Sequence, residues 1–147
     1  MWAWGSNSNG QLGDGTFNFH PTPTQVPGLA NIIAIAAGQS HSLALKNDGT
    51  LWAWGFNGNG QVGDGTSGNN KLSPVAVTTT GFTNNITAIA AGANHSLAIT
   101  TGGAVWAWGL NGNGQVGDGT MVNKLVPTFD NALRGRRRHR DRRRQLA

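Results

Sequence analysis

Apolar residues along this chain fall in short runs, each closed by glycine, with no 3.6-residue periodicity anywhere. Residues 32–38 (IIAIAAG) and 86–92 (ITAIAAG) are two such runs, followed by 41–45 (HSLAL) and 95–99 (HSLAI). Side chains alternate on extended backbone, so Leu43 and Leu45 share one strand face and Ser42 and Ala44 the other. Asp48-Gly49, between Leu45 and Leu51, is a hairpin signal, and Gly102-Gly103 is its counterpart further on. In Leu51-Trp52-Ala53-Trp54 the tryptophans point one way and Leu51 and Ala53 the other. Both faces are apolar and one carries mainly small side chains. A sheet of that kind must be sandwiched between neighbours, and small-against-large surfaces approach closely. Pro23, Pro74 and Pro127 follow glycine-rich turns and suit a fourth, edge-like strand, near residues 75–77 in the middle copy.

These segments repeat. WAWG stands at 2–5, 52–55 and 106–109, and a variant of N-G-Q-(L/V)-G-D-G-T follows at 9–16, 59–66 and 113–120. A-A-G-x-x-H-S-L-A-(L/I) occurs at 36–45 and 90–99. The tryptophan blocks are 50 and then 54 residues apart, so fixed blocks alternate with connectors of variable length, which predicts packed blocks and surface loops. Four short antiparallel strands per unit of about fifty residues predict an all-β fold of β-propeller blades; a solenoid of β-hairpins is the alternative architecture. The expected units are a half blade at 1–29, a blade at 30–83 and a blade at 84–129, about two and a half blades in all. They are termed the first, second and third units below.

The matching blocks A-A-G-x-x-H-S-L-A-L, D-G-T-L-W-A-W-G and N-G-N-G-Q-V-G-D-G-T resemble the regulator-of-chromosome-condensation repeat family in its bacterial style, over roughly residues 1–129. The resemblance implies a seven-bladed propeller that binds through loops on its faces and does not catalyse. It also implies, from the founding member, guanine-nucleotide exchange on a small GTPase as an alternative function. Too few repeats are present for a full ring, and the pattern stops after Pro127. The expectation is therefore a truncated piece of a longer propeller, or a subunit that self-associates to complete one, since uncapped repeat faces favour association.

Composition narrows the chemistry. The 147 residues suit one domain or part of one, and the absence of Cys excludes disulfides, zinc-thiolate sites and a thiol nucleophile. No apolar run is long enough for a membrane-spanning helix, so no membrane insertion is expected. The opening Met1-Trp2-Ala3-Trp4-Gly5 has neither the basic nor the apolar region of a secretory leader, and the compartment stays open. Charge is segregated. Residues 134–147 hold eight Arg and one Asp, a net of +7, whereas residues 1–133 hold three Lys and five Asp, a net of −2; together they give +5. The tail, residues 130–147, with Arg136, Arg137, Arg138, Arg140, Arg142, Arg143 and Arg144, is expected to be a disordered, solvated extension. Its alternative role is association with nucleic-acid phosphates, without sequence readout.

Four constellations carry residue types that can do chemistry. Gly58-x-Gly60-x-x-Gly63 and Gly112-x-Gly114-x-x-Gly117 match a dinucleotide fingerprint, but no helix follows to aim backbone N–H groups at a pyrophosphate. Gly63 and Gly117 are expected to supply positive φ in tight turns. Asp14, Asp64 and Asp118 offer one carboxylate per G-D-G-T turn, which fits an Asp capping its own turn and falls short of a calcium site. His41-Ser42 and His95-Ser96 place two catalytic residue types side by side, yet strand neighbours project to opposite faces. His41 and His95 are assigned a structural hydrogen-bonding role between blades. Trp2, Trp4, Trp52, Trp54, Trp106 and Trp108 are assigned to the repeat core because their placement is identical in each copy. No catalytic, cofactor-binding or metal-binding residue is assigned. The expected function is non-enzymatic recognition of a protein partner through the variable loops near 17–22, 67–73, 78–85 and 121–126.

Overall fold

The computed structural model describes residues 1–78, 82 and 85–129. The Arg-rich tail and most of the 78–85 connector therefore lie outside the described residues. Ten strands and no helix occur among those described. They are β1 (Trp2–Gly5), β2 (His20–Gln25), β3 (Ile32–Ala37), β4 (His41–Lys46), β5 (Leu51–Gly55), β6 (Lys71–Ala76), β7 (Ile86–Ala91), β8 (His95–Thr100), β9 (Val105–Gly109) and β10 (Lys124–Phe129). All pairings are antiparallel between sequence neighbours, giving one two-stranded sheet, β1-β2, and two four-stranded sheets, β3-β4-β5-β6 and β7-β8-β9-β10. The fold is part of a β-propeller.

Register explains the small-residue face. Ser42 lies opposite Trp54 and Ala44 opposite Trp52, and in the next sheet Ser96 faces Trp108 and Ala98 faces Trp106. Each indole thus crosses a strand that leaves room for it. Pro23, Pro74 and Pro127 sit in the outermost strands β2, β6 and β10, where an absent N–H breaks no ladder. In the middle copy that strand begins at Lys71, earlier than the segment 75–77 expected from the sequence, because pairing continues past an irregularity to Lys71 opposite Gly55.

Both faces of the middle sheet are covered at its central strands β4 and β5, by different neighbours. Ala44, Trp54 and Trp52 pack with Val26, Leu29, Met1 and Ala3 of the first unit. Leu43, Leu45, Leu51 and Ala53 pack with Phe82, Ile86, Ala98 and Trp108 towards the third. Phe82 meets Trp106 and Trp108 edge-on, with ring centroids 5.5 and 5.9 Å away.

The end sheets differ, and this corrects the assignment of all six tryptophans to the core. Trp54 and Trp108 are fully buried, whereas Trp2 and Trp4 are about 60% exposed. Sequence identity sets the direction in which an indole points; burial depends on whether a sheet stands in front of it. Ile33 and Ile35, on β3 at the margin of the middle sheet, are exposed as well.

Candidate protein-binding interface

Each junction between units is organised by one backbone carbonyl. Gln61, in the glycine-rich turn of the second unit, presents its carbonyl oxygen to the third, where Trp108 Nε1 donates at 2.9 Å and Ser96 Oγ at 2.8 Å. One junction earlier, Trp54 Nε1 and Ser42 Oγ both donate to the Gln11 carbonyl at 2.8 Å. The turn glycine admits the indole: a Cβ on Gly63 would lie 2.5 Å from Trp108 Nε1, and its φ of +81° already disfavours a side chain. Gly117 has φ +78° in the third copy.

The inner strands add a second link. His41 Nε2 lies 2.9 Å from Ser96 Oγ. The Ser96 proton is engaged with Gln61, so the imidazole must be the donor, which assigns the Nε2–H tautomer from the network. Nδ1 is then bare, and it is buried without a hydrogen-bond partner. Burial, with a smaller contribution from the nearby His95, pushes the His41 pKa down to about 4. The group is a neutral structural link, with no base poised near a nucleophile.

A third device clamps the loop between the third and fourth strands of each unit. Asn7, Asn57 and Asn111 are buried, and their Oδ1 atoms accept from the backbone N–H of Leu12, Val62 and Val116 at 3.0, 3.1 and 2.9 Å. Asp14, Asp64 and Asp118 accept from the backbone N–H two residues on, at Thr16, Thr66 and Thr120. Each also meets a side-chain nitrogen at the start of the fourth strand: His20 Nε2 at 2.6 Å, Lys71 Nζ at 2.8 Å and Lys124 Nζ at 2.6 Å. The Lys124 ammonium holds the Asp118 carboxyl well below the usual carboxylate range. Burial would raise that of Asp64, but hydrogen bonds from Lys71 and Thr66 outweigh it and lower the pKa. Successive loops are tied side by side, since Asn70 donates to Asn9 and Asn123 to Asn59 at 3.2 and 3.3 Å. Phe17, Phe19, Met121 and Val122 stand exposed on the clamped loops, Phe19 at 72% and Met121 at 71%.

The family model for the regulator of chromosome condensation (RCC1) repeat matches residues 1–45, 48–99 and 102–140, and a second model for the same repeat matches 32–61 and 86–115. The chain belongs to the regulator of chromosome condensation repeat family. It is 34% identical over 135 residues to the ultraviolet-B receptor UVR8 of Arabidopsis thaliana, covering 90% of this chain and 30% of the receptor. It is 40% identical over 119 residues to the mitochondrial RCC1 domain-containing protein RUG3 of the same plant, covering 80% and 26%. Its fold is similar to that of human WBSCR16, with a TM-score of 0.74 at 22% identity, covering 87% of this chain and 34% of that one. For Prp20p of Saccharomyces cerevisiae the TM-score is 0.71 at 29% identity, covering 87% and 33%. The chain thus spans about a third or less of these relatives.

Several residues that organise this RCC1-repeat chain escape a reading by chemical motif. Asn7, Asn57 and Asn111, Gln11 and Gln61, and Lys71 and Lys124 carry no reactive pattern. For the asparagines and glutamines the signal is recurrence at fixed distances from WAWG; the lysines lie across a connector of variable length and have no such signal. Among the described residues no three His, Cys, Asp or Glu side chains gather as a metal site, and the three turn aspartates stand one per unit.

Proposed function

We propose that this chain is a non-enzymatic protein-recognition module, which engages its partner through the clamped loops at 17–22, 67–73 and 121–126. The observation carrying this reading is the exposure of Phe17, Phe19, Met121 and Val122 on loops whose bases are fixed by Asp–His or Asp–Lys pairs. Exposed apolar side chains on a held backbone lose little freedom on binding, which is what a recognition surface needs. Ser67, Gly68, Asn69 and Asn70, the matching loop of the second unit, are polar. The surface is then an apolar contact at each end of a hydrogen-bonding middle. Family membership supports a protein partner as the class: the Prp20p structure is described together with its binding to Gsp1p and histones.

The test is cross-linking capture with the intact chain and with a Phe17→Ser, Phe19→Ser, Met121→Ser, Val122→Ser variant. Capture of a defined partner should fall at least tenfold while the thermal midpoint stays put. Undiminished capture by the variant would remove the loops from the interface.

A further inference from the structure

The first and third clamped loops are matched in length, with Asp14 six residues before His20 and Asp118 six residues before Lys124. They differ in what closes them. Lysine keeps its charge across the neutral range, whereas histidine changes charge between about pH 5 and 8. Asp14 accepts from His20 Nε2 at 2.6 Å, from the Thr16 backbone N–H at 2.9 Å, from the Thr16 hydroxyl and from Asn7 Nδ2 at 3.1 Å. Burial would raise the Asp14 carboxyl, but the bonds from Thr16, His20 and Asn7 outweigh it and lower its pKa, so it stays a carboxylate throughout that range. A carboxylate only accepts, so Nε2 carries hydrogen in either charge state of the ring. Protonation therefore adds an ion pair to a bond already made. The side chains of His20 and Asp14 are 29% and 10% exposed, so water screens that attraction only in part. β1, which meets His20 at Gly5, has no ionisable side chain. β6 brings Lys71 towards the turn, but its ammonium is held by Asp64 at 2.8 Å. Among the described residues, Asp14 is the one charged side chain within ion-pairing distance of His20. The turn itself is anchored to the second unit, where the Leu72 carbonyl accepts from the Gly15 N–H at 2.9 Å. What the His20 link governs is the short arm that carries Phe17 and Phe19.

We propose that the first loop is a pH-sensitive arm of the recognition surface: the charged His20 ring holds Phe17 and Phe19 in place, and loss of its proton loosens them. The consequence for binding rests on the loops being that surface, as proposed above. With the ring charged, the arm is fixed at both ends, at the Asp14 turn and at the start of β2. With the ring neutral, one end is held by an uncharged donor, and a partner must order the two phenylalanines at its own cost. The third loop is closed by Lys124 and keeps Met121 and Val122 presented in both conditions. One end of the surface thus responds to pH and the other does not. A partner is retained more tightly on the acid side of neutrality, through the first loop alone.

The test reads backbone amide order parameters of the free, intact chain by NMR relaxation at about pH 5.5 and about pH 8, inside the histidine range. Those of Asn18 and Phe19 should fall from about 0.85 towards about 0.6 as pH rises, while those of Val122 and Asn123 hold. His20→Lys should abolish the fall. Lys124→His, placed in the loop of equal length, should carry it to Val122 and Asn123. No fall in the wild-type chain, a fall that survives His20→Lys, or none at Val122 in Lys124→His would each overturn the proposal. The free chain reports on the switch alone, so flat order parameters remove the pH response and leave the recognition surface standing. Undiminished capture by the serine variant described above removes the surface while the order parameters still fall.

Discussion

The junction between the second and third units and the Trp4 side of the first are built from the same sequence positions, yet one is closed and the other open. At the closed junction, Trp108 is buried against the Gly63 turn and bonded to Gln61. In the first unit Trp4 occupies the equivalent position and remains 61% exposed. The second indole of each WAWG block is fully buried where a preceding turn presents a carbonyl and a glycine to it, as at Trp54 and Trp108. The comparison predicts a large asymmetry. Trp108→Ala should cost about 3–5 kcal/mol by urea denaturation, from lost apolar burial and a cavity. Trp4→Ala should stay within about 0.5 kcal/mol, as for an exposed site. Equal losses would mean that Trp4 is covered in solution.

His41 sharpens the same contrast through pH. Its pKa is about 4 in the folded chain against 6.5 when exposed, so the unfolded chain takes up the proton first as pH falls. Its contribution is therefore complete above pH 6.5 and is lost as pH drops towards 4, by at most about 3 kcal/mol. Below that window the aspartates with lowered pKa values take over the acid sensitivity. Unfolding free energies measured between pH 7 and 4.5 should show this slope in the wild-type chain and lose most of it in His41→Gln. A slope unchanged by the substitution would place its origin elsewhere.

The two serines divide in the same way. Ser96 joins His41 to the Gln61 carbonyl, and Ser96→Ala strands a buried imidazole N–H; about 2 kcal/mol of destabilisation is expected. Ser42 makes one such bond, and its alanine variant should lose about 1 kcal/mol or less. Thermal unfolding of the pair would reveal whether the second partner matters, and equal shifts would count against the His41–Ser96 link.

Much of the fold was legible because its signals are local. Alternation along Leu51–Trp54, the Asp48-Gly49 turn and the repetition of WAWG define strands, hairpins and sheets with two apolar faces. What sequence could not supply is non-local. Trp4 and Trp54 share the same WAWG block, so a repeat-by-repeat reading gives them one environment, whereas burial is decided by the turn of a neighbouring unit. His41 has its partner in Ser96, the serine of the following repeat, rather than in the adjacent Ser42. The loop clamps were hidden differently: an Asp–Lys pair across a variable connector has no fixed spacing, and in the first unit a histidine stands in the lysine's place.

Those clamps extend the comparison from junction to rim and give the smallest expected effect. Lys71 Nζ lies 2.8 Å from Asp64 Oδ2, but both side chains are partly in water, where an ion pair is screened and loses side-chain entropy. Asp64 also keeps its bonds from the Thr66 backbone and hydroxyl when the lysine is removed. Lys71→Met, which retains the aliphatic stem, should therefore cost about 0.5 kcal/mol and no more than about 1. Because the depressed pKa of Asp64 owes much to Lys71, the difference between variant and wild type should shrink in 1 M salt and at acid pH, where the carboxylate is screened or protonated. A larger, salt-independent loss would mean that the rim is packed as tightly as the junction, and that the loops are part of the core rather than a surface held out from it.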